Sequence, residues 1–482
     1  MTPAWRNALN AIEDLELIVD RARRKVYESD GLTALSQVPP LVALPATRAA
    51  LQAVIKVCHA HQVPMVARGA GTGLSGGATP LADGLLVSLA KFTRVLNVDI
   101  EARTATVEPG VTNLAITEAV ADQGLFYAPD PSSQIACTIG GNVAENSGGV
   151  HCLKYGLTLH NVCGLTILLA DGTEVVIDRE GLWQEGLDLL AILHGSEGLL
   201  GFVVEVKVRL LPQPESIAVL MAGFSTVESA ADAVSAVIRA GIVPAGLEMM
   251  DQLAIQAAED FVAAGYPRDA AALLLCELDG NREEVEEMSD LVSSVLLNAG
   301  AVSIESAEDA ATRSRLWLGR KAAFPAVGRL APDYYCMDGT IPRRHLAAVL
   351  KAIADKSVHY GLQVANVFHA GDGNLHPLIL YDVSVEGQLE KAEAFGADIL
   401  NICLDYGGTI TGEHGVGLEK INEMCRQFNT TELSTFHAVK SAFDPEALLN
   451  PGKAIPTLNR CAEFGAMHVH RGTEKFPHLP RF

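Results

Sequence analysis

Two histidines flank a glycine-containing reversal in the segment VFHAGDGNLHPLIL, which runs from Val367 to Leu380. An Asp-Gly pair between apolar runs is typical of the two-residue turn of a β-hairpin. With Asp372 and Gly373 at the tip of that turn, His369 pairs directly with His376, and their Cβ atoms lie about 4.5–5.5 Å apart on one face. Two imidazoles at this spacing can share a metal ion, or both can simply satisfy hydrogen bonds near the turn.

The segment from Arg68 to Gly77, RGAGTGLSGG, carries five glycines directly after an apolar run. Glycines let backbone amides approach a ligand closely, so this composition indicates an anion-binding loop. It matches the G-x-G-x-x-G pattern of Rossmann units, but no helical pattern follows Gly76 and no acidic residue stands about twenty residues further on in a second strand. The segment therefore predicts phosphate binding by loop amides and excludes a Rossmann nicotinamide site. The alternative is a glycine-rich turn without a ligand.

A second glycine-rich segment, CTIGGNVAENSGG, runs from Cys137 to Gly149 and follows the turn-forming sequence PDPSS at 129–133. Two long loops of small, hydroxyl-bearing and amide-bearing residues exceed what tight turns require. Together they predict a large, extended cofactor rather than a single phosphate.

The composition excludes several classes of partner. The 482-residue chain has a formal net charge of −22, which argues against nucleic acid or an anionic membrane surface as a main partner. No signal-peptide pattern and no apolar run of about 18 residues is present, so we expect a cytoplasmic protein without a direct membrane span. Disorder is expected only in the tail after Cys461.

The nine cysteines form no C-x-x-C pair and no cluster with metal-ligand spacing. They predict buried thiols in a reducing compartment. An iron–sulfur cluster within this chain is not expected.

The elements that must position these residues fall into two units. The first contains strands and an amphipathic helix that starts near Thr47, and it closes at Pro212-Gln213-Pro214. In the second unit, strands and helices alternate, which predicts an antiparallel sheet with helices on one side. Strands are predicted at 41–44, 63–67, 84–89, 95–99, 104–107, 162–170, 174–177, 202–211, 217–224, 273–278 and 336–341, and helices from 112, at 227–240, from 282 and from 343.

Five motifs in this order resemble the FAD-linked 2-hydroxy-acid dehydrogenases. They are the segments 68–77 and 129–149, the two histidines within AGDGNLHP, GEHGVG at 412–417 and NPGK at 450–453. The likeness extends from about Val38 to Pro456 and is greatest to the catalytic flavin subunit of bacterial glycolate oxidase. D-lactate and D-2-hydroxyglutarate dehydrogenases are similar.

The resemblance implies an α+β fold in four parts. These are an N-terminal helical segment (1–37), a PCMH-type FAD-binding domain of the vanillyl-alcohol-oxidase kind (38–215), an α+β substrate and metal cap domain with an antiparallel sheet (216–430), and a C-terminal segment (431–482) that returns to the FAD domain.

The resemblance also implies which residues bind FAD. The first segment would cradle the pyrophosphate, and the second would line the isoalloxazine and ribityl groups. Some relatives attach the flavin through a histidine at the position of Thr72, so we expect non-covalent FAD here. The implied residues are Arg68, Gly69, Ala70, Gly71, Thr72, Gly73, Leu74, Ser75, Pro129, Asp130, Ser133, Thr138, Gly140, Gly141, Ala144, Asn146, Gly149, Gly195, Gly201, Val203 and Asn450.

In the same resemblance, His369, His376 and Glu413 become ligands of a divalent metal. Zinc is the first choice, and Mn²⁺ or Fe²⁺ suits the same donors. His414 is implied as the general base, with orientation of Glu413 as the alternative. Arg320 is implied to hold the substrate carboxylate, with a helix-surface ion pair as the alternative.

The implied reaction is FAD-dependent oxidation of a small 2-hydroxy acid, glycolate or D-lactate, to the 2-oxo acid. Without clustered cysteines or a nicotinamide site, the chain must pass electrons to companion flavin and iron–sulfur subunits or to a quinone-linked acceptor. Such partners would associate it peripherally with the inner membrane, and an oligomer is compatible with this. The alternatives are a D-2-hydroxyglutarate dehydrogenase and a non-catalytic FAD-binding assembly subunit.

Overall fold

The computed structural model describes residues 4–178, 186–307, 309–457 and 461. The tail after Cys461, where disorder was expected, lies outside these residues. No helix in the described part of the chain is long and apolar enough to cross a membrane.

The elements up to residue 212 are, in chain order, α1 (Ala4–Asn10), β1 (Leu15–Ile18), α2 (Arg21–Lys25), β2 (Val42–Pro45), α3 (Arg48–Ala60), β3 (Met65–Arg68), β4 (Leu85–Ser88), β5 (Val95–Asp99), β6 (Thr104–Val107), α4 (Asn113–Glu118), the 3₁₀ helix Ala121–Gln123, β7 (Leu125–Phe126), α5 (Ile139–Glu145), α6 (Cys152–Tyr155), α7 (Thr158–Asn161), β8 (Val162–Leu168), β9 (Glu174–Asp178), α8 (Leu189–Leu193), β10 (Phe202–Arg209) and β11 (Leu211–Pro212).

Two sheets form the first part of the chain. In the four-stranded sheet β1-β2-β4-β3, strand β4 is parallel to β2 and β3, while β1 is antiparallel to β2. Parallel neighbours need a long crossover connection. Between β3 and β4 this crossover is the glycine-rich loop at 69–84, which contains no helix, as its sequence predicts. The five-stranded sheet β5-β6-β10-β8-β9 is antiparallel throughout.

The second part is built on one antiparallel sheet of seven strands, in the order β15-β12-β14-β13-β17-β18-β16. Its elements are β12 (Ser216–Phe224), α9 (Val227–Arg239), β13 (Gly246–Asp251), α10 (Gln252–Val262), β14 (Ala272–Gly280), α11 (Arg282–Asn298), β15 (Ala301–Ala307), α12 (Ala310–Lys321), α13 (Ala323–Val327), β16 (Asp333–Cys336), the 3₁₀ helix Arg343–His345, α14 (Leu346–Tyr360), β17 (Val364–His369), β18 (Asn374–Tyr381), α15 (Gln388–Asp405), α16 (Ile421–Gln427) and α17 (Thr430–Phe443).

Helices cover both faces of this sheet, so the prediction of helices on one side was wrong. Leu220 and Ala222 of β12 belong to one core with helices α9, α11, α14 and α15. Val219 and Met221 of the same strand belong to a second core with α10, α12 and α13. The unbroken apolar run at the start of β14, from 272 to 276, is what a strand covered on both faces requires.

The hairpin of β17 and β18 has a different register from the predicted one. His369 pairs with Asn374, and His376 pairs with Val367. The turn occupies the four residues 370–373 rather than two, and the amide of Gly373 donates to the carbonyl of His369 at 3.1 Å. Because the register shifts by two residues, both histidines remain on one face, as diagonal neighbours.

Two further predictions need correction. The strand expected at 336–341 instead ends at Cys336, and Thr340 makes only isolated bridges to Asn374 and Thr409. Cys425 and Cys461 form a disulfide, so these two are not the thiols that were expected, whereas the other cysteines form no disulfide. Partners 36 residues apart leave no local spacing by which to recognise them.

The C-terminal segment returns to the first part of the chain, as predicted. Leu449 forms a parallel bridge with Met65 of β3, and the amide of Asn450 donates to the Met65 carbonyl at 2.7 Å. This pairing extends the edge of the four-stranded sheet beside the glycine-rich loop.

Candidate active site

A cavity of about 400 Å³ lies where the glycine-rich loops of the first part face the seven-stranded sheet. Its volume is within the range of about 300–1,000 Å³ that is usual for small-molecule and cofactor sites. Parts of 67–78, 131–147 and 196–203 form one side, and parts of 321–325 with the histidine-bearing hairpin form the other. The cavity thus brings the predicted cofactor loops and the predicted metal ligands together.

The loop after β3 is shaped so that side chains do not fit at several positions. A Cβ at Gly69 would collide with the hydroxyl of Thr138, and a Cβ at Gly71 would collide with the guanidinium of Arg68. Gly71 also has a φ of +76°, a conformation that glycine adopts without strain. The two glycine-rich segments therefore meet along a wall in which backbone atoms are not covered by side chains. Such a wall fits an extended, phosphate-bearing cofactor such as FAD.

Most residues predicted to bind the cofactor lie in the wall of this cavity. They come from both glycine-rich segments and from the start of β10. They are Arg68, Gly69, Ala70, Gly71, Thr72, Gly73, Leu74, Ser133, Thr138, Gly140, Gly141, Ala144, Gly201 and Val203.

The other predicted cofactor residues lie behind the wall, where they hold loops in place. The side-chain oxygen of Asn146 accepts the amide of Leu159 at 3.0 Å, and the side-chain nitrogen of Asn450 donates to the carbonyl of Gly77 at 3.0 Å. A motif does not by itself reveal which of its residues face the ligand. The residues outside the wall are Ser75, Pro129, Asp130, Asn146, Gly149, Gly195 and Asn450.

Two carboxyl groups in the wall were missed by sequence reasoning. Glu145 and Glu197 face the cavity, and Glu197 accepts the amides of Val416 and Gly417, each at 2.7 Å. Burial, together with the nearby Glu197 carboxylate, raises the pKa of Glu145 well above its usual range. An acidic residue inside a loop of small residues was the available signal.

The predicted metal ligands converge on one point. Nε2 of His376 lies 3.0 Å from Oε1 of Glu413, and Nε2 of His369 lies 3.3 Å from the same oxygen. The two histidine rings are perpendicular, with centroids 5.0 Å apart. One donor atom from each of the three residues lies within 4.8 Å of the others, so one ion can contact all three.

The electrostatics of this cluster also suit a divalent cation. Burial raises the pKa of Glu413, but His369 and His376 outweigh it and hold that pKa well below the usual range. Burial lowers the pKa of His369, but Glu248 and Glu413 together raise it to about 10. Metal ions bind ionised carboxylates and compete with protons for imidazole nitrogens. A divalent cation can therefore replace the protons that the nearby carboxylates stabilise on these histidines.

A second set of donors, Cys336, His376 and His414, shares one histidine with the first. Burial, followed by the carboxylates of Glu419 and Asp338, raises the pKa of the Cys336 thiol well above its usual range. A thiol must lose its proton to bind a metal. The set that contains Glu413 therefore fits a metal better.

The loop that carries Glu413 and His414 is held by one buried carboxylate. Oδ2 of Asp338 accepts the amides of Gly412 at 3.0 Å and His414 at 2.9 Å, and Oδ1 accepts the side-chain nitrogen of Asn374 at 2.9 Å. These bonds tie the loop to the start of β18. Asp338 was not identified from the sequence.

His414 lies beside the cluster, with its ring stacked on His376 at a centroid distance of 4.9 Å and an angle of 9°. Its Nδ1 is buried and has no hydrogen-bond partner among the described residues. Burial, together with the positive charges of His376 and Lys420, lowers the pKa of His414 to about 4. The imidazole is therefore neutral at neutral pH, and a neutral imidazole has one ring nitrogen that can accept a proton.

Arg320 is placed differently from the expected substrate-binding position. It is 1% exposed, does not line the cavity, and its Nη2 lies 2.6 Å from Oε2 of Glu248. The alternative of a helix-surface ion pair is wrong, because both partners are buried. Lys321, the next residue, does line the cavity.

The chain is similar to known proteins over most of its length. Residues 39–178 match the family model of an FAD binding domain, and 213–454 match that of the C-terminal domain of FAD linked oxidases. Glycolate oxidase subunit GlcD of Escherichia coli (strain K12) is 59% identical over 95% of this chain and 91% of its own. D-lactate dehydrogenase of Anaerostipes hadrus is 30% identical over 94% of this chain and 97% of its own.

Among solved structures, p-cresol methylhydroxylase with substrate bound superposes with a TM-score of 0.79 at 18% identity, covering 94% of this chain and 97% of that one. At that identity the likeness concerns the fold alone, and it confirms the predicted PCMH-type architecture. Together with the family models and the identities to both relatives, it shows that the chain belongs to the FAD-linked oxidases and is an FAD-dependent hydroxy-acid oxidoreductase.

Proposed function

We propose that this protein oxidises a small 2-hydroxy acid, glycolate or D-lactate, to the corresponding 2-oxo acid, with non-covalently bound FAD as the oxidant. The observation that carries the proposal is the cavity itself. One wall contains both glycine-rich loops, and the facing wall contains His369, His376, Glu413 and His414. The names of the similar glycolate oxidase subunits and D-lactate dehydrogenases support these two substrates.

In this proposal the glycine-rich loops bind FAD with their backbone amides. FAD supplies the acceptor for the hydride that leaves Cα of the substrate. Thr72 stands where a histidine would be needed for covalent attachment, and its side chain offers no comparable nucleophile. The residues of the cavity wall hold the cofactor, whereas those behind the wall support the loops.

His369, His376 and Glu413 would hold a divalent ion, with zinc as the first choice. Such an ion supplies Lewis acidity that makes the substrate hydroxyl more acidic. His414, which lines the cavity, would then take the hydroxyl proton. A positioned base of this kind contributes about 10²–10⁴-fold to a rate.

Two basic residues are available for the substrate carboxylate. Nε and Nη2 of Arg320 lack hydrogen-bond partners among the described residues, although the guanidinium pairs with Glu248. Lys321 lies in the wall itself. We assign Lys321 to attracting the carboxylate into the cavity, and keep Arg320 as the residue that would bind it after a change of partner.

The reduced flavin needs an electron acceptor, and the described residues contain no group of cysteines placed to hold an iron–sulfur cluster. Companion subunits or a quinone-linked acceptor would take the electrons. The word "subunit" in the names of the glycolate oxidase relatives supports this assembly. It would place the protein in the cytoplasm, at the inner membrane only through its partners.

The second candidate function is oxidation of D-2-hydroxyglutarate, which needs a further cation for the distal carboxylate. Lys321, a cation in the wall, could meet that need if Arg320 bound the first carboxylate. A non-catalytic assembly subunit is disfavoured because all four residues of the proposed reaction centre are present and converge.

The test is anaerobic reduction of the purified, FAD-loaded protein. Glycolate, D-lactate, L-lactate and D-2-hydroxyglutarate are added separately, and flavin absorbance is followed with and without a chelator. Bleaching by glycolate or D-lactate, lost on metal removal and restored by zinc, is the expected result. If no acid bleaches the metal-replete flavin, the proposed activity is wrong. If bleaching survives complete metal removal, the metal-assisted mechanism is wrong.

A further inference from the structure

Glu248 lies on β13, directly beside the strand that ends in His369. Its side chain is a carboxylate within a mostly apolar strand, and the residue is 1% exposed. Burying a carboxylate is unfavourable unless it is paired and hydrogen-bonded. Its two oxygens must therefore both have partners of complementary charge.

Each oxygen of Glu248 has one such partner. Oε1 lies 2.8 Å from Nδ1 of His369, and Oε2 lies 2.6 Å from Nη2 of Arg320. The guanidinium of Arg320 is always charged, so its buried pairing with Oε2 favours the ionised form of the Glu248 carboxylate. An ionised carboxylate only accepts hydrogen bonds, so His369 must donate from Nδ1.

When the Nδ1 proton is held by Glu248, a metal ion can bind His369 only by displacing the proton on Nε2, on the opposite side of the ring. In His369, that side faces Oε1 of Glu413 at 3.3 Å. A metal-binding histidine needs this arrangement, because a ring nitrogen can bind the ion only when its proton is on the other nitrogen. His376 has a weaker counterpart, since its Nδ1 lies 3.3 Å from the carbonyl of Met337.

We infer that Glu248 is the positioning residue of this metal site: it fixes the orientation and tautomer of His369, and Arg320 supplies the buried countercharge that keeps it in place. This inference rests on the proposed function, because it assumes that His369 binds a metal. It also assigns Arg320 a role that does not require contact with the substrate.

The test is the zinc affinity of FAD-loaded protein, measured without substrate by equilibrium dialysis against buffered free zinc. Glu248→Gln cannot satisfy both partners, because the amide nitrogen of glutamine is a hydrogen-bond donor. It must face either His369 or Arg320, and each of these also offers a donor. Loss of such a supporting carboxylate typically weakens metal binding by about 10–100-fold. We expect that loss together with unchanged FAD content.

A matched control is Asp251→Asn on the same strand. Asp251 is a partly buried carboxylate and accepts the backbone and side-chain nitrogens of Asn366 on β17, at 2.9 and 2.8 Å, but it touches no proposed ligand. It undergoes the same change from acid to amide beside the same strand. Unchanged zinc affinity is expected, and an equal loss in both variants would overturn the inference in favour of general damage to the sheet.

The route through His369 is tested by a double-variant cycle. His369→Ala alone weakens zinc binding, and adding Glu248→Gln should then cause little further loss. Full additivity of the two effects would overturn the inference. If Glu248→Gln does not retain FAD, Glu248→Asp serves instead, because it keeps the charge but is one methylene too short to reach Nδ1.

The result also separates this inference from the proposed function. Tight zinc binding by the wild type with an equal affinity in Glu248→Gln overturns the inference alone. Failure of the wild type to bind zinc, Mn²⁺ or Fe²⁺ at all overturns the inference and the metal-assisted mechanism, whereas the proposed oxidation is overturned only if no acid bleaches the flavin.

Discussion

The ammonium nitrogen of Lys420 lies 3.1 Å from Oδ2 of Asp338, and both side chains are completely buried. The same oxygen accepts the amides of Gly412 and His414, so the ion pair lies directly behind the loop of the proposed reaction centre. Lys420 also donates to the carbonyl of Gly415 at 3.0 Å. The loop is thus held from both sides by one buried pair of charges.

Replacing Lys420 by Met should therefore damage both stability and the reaction centre. It leaves the Asp338 carboxylate buried without its countercharge, and breaking a buried pair in this way costs about 3–5 kcal/mol. We expect unfolding at a lower denaturant concentration, slower flavin reduction and weaker zinc binding. Lys440→Met, which breaks the pair between Lys440 of α17 and Asp444, is the control; it should lower stability but leave zinc affinity unchanged.

His414→Gln separates the two roles considered for this histidine. If His414 is the base, flavin reduction by glycolate or D-lactate should slow by about 10²–10⁴-fold while zinc affinity is retained. Stopped-flow reduction and elemental analysis on the same preparation measure both quantities. Parallel loss of zinc would show instead that His414 orients Glu413.

Gly71→Ala should abolish FAD binding. Gly71 has a φ of +76°, and an added methyl group would collide with the Arg68 guanidinium, which itself lies in the cavity wall. The ratio of flavin to protein absorbance measures the effect. Gly124→Ala is the matched control, because Gly124 has a φ of +67° but open space around its Cβ position. Retention of FAD by both variants would contradict the proposed cradle.

The contact between the two parts of the chain should depend on pH through His151. Its Nδ1 lies 2.9 Å from Asp130, its Nε2 lies 2.9 Å from Glu277 of β14, and its ring packs against Trp317. Burial lowers the pKa of His151, but the two carboxylates outweigh it and raise that pKa well above its usual range. The folded protein therefore keeps a proton that the unfolded chain releases above about pH 6.5.

A raised histidine pKa gives a contribution that is complete below about pH 6.5 and declines as pH rises through the folded-state value. Thermal midpoints of the wild type and His151→Gln, measured from pH 6 to pH 9, should therefore converge as pH rises. A difference that stays constant or widens would contradict this assignment.

Much of the fold was predictable because local signals agreed with the tertiary structure. Thr47 caps α3 by accepting the amide of Ala50, and β5 and β6 have the predicted bounds. The register of the histidine hairpin was not predictable from Asp372-Gly373, because the turn also uses Ala370 and Gly371, and Gly371 is tied to Leu247 of β13. That tie is a tertiary contact without a local signal.

The supporting residues of the site were less accessible to sequence reasoning than its ligands. Glu248 lies in β13, which was not predicted, and its partner His369 is 121 residues away. Arg320 was identified, but the sequence could not show that a buried carboxylate occupies its guanidinium. Residues that contact a ligand occur in recognisable motifs, whereas the residues that orient them come from any strand that packs nearby.

The contact of Glu197 with the amides of Val416 and Gly417 has a consequence for how the chain can evolve. A Cβ on Gly415, the residue before Val416, would collide with the carboxylate of Glu145. The FAD-binding half and the C-terminal half of the chain therefore each restrict which residues the other can carry at this contact. The boundary between the two family models therefore does not separate two exchangeable modules. A chimaera that joins the first half of one relative to the second half of another must inherit compatible residues at 145, 197, 415 and 417 together.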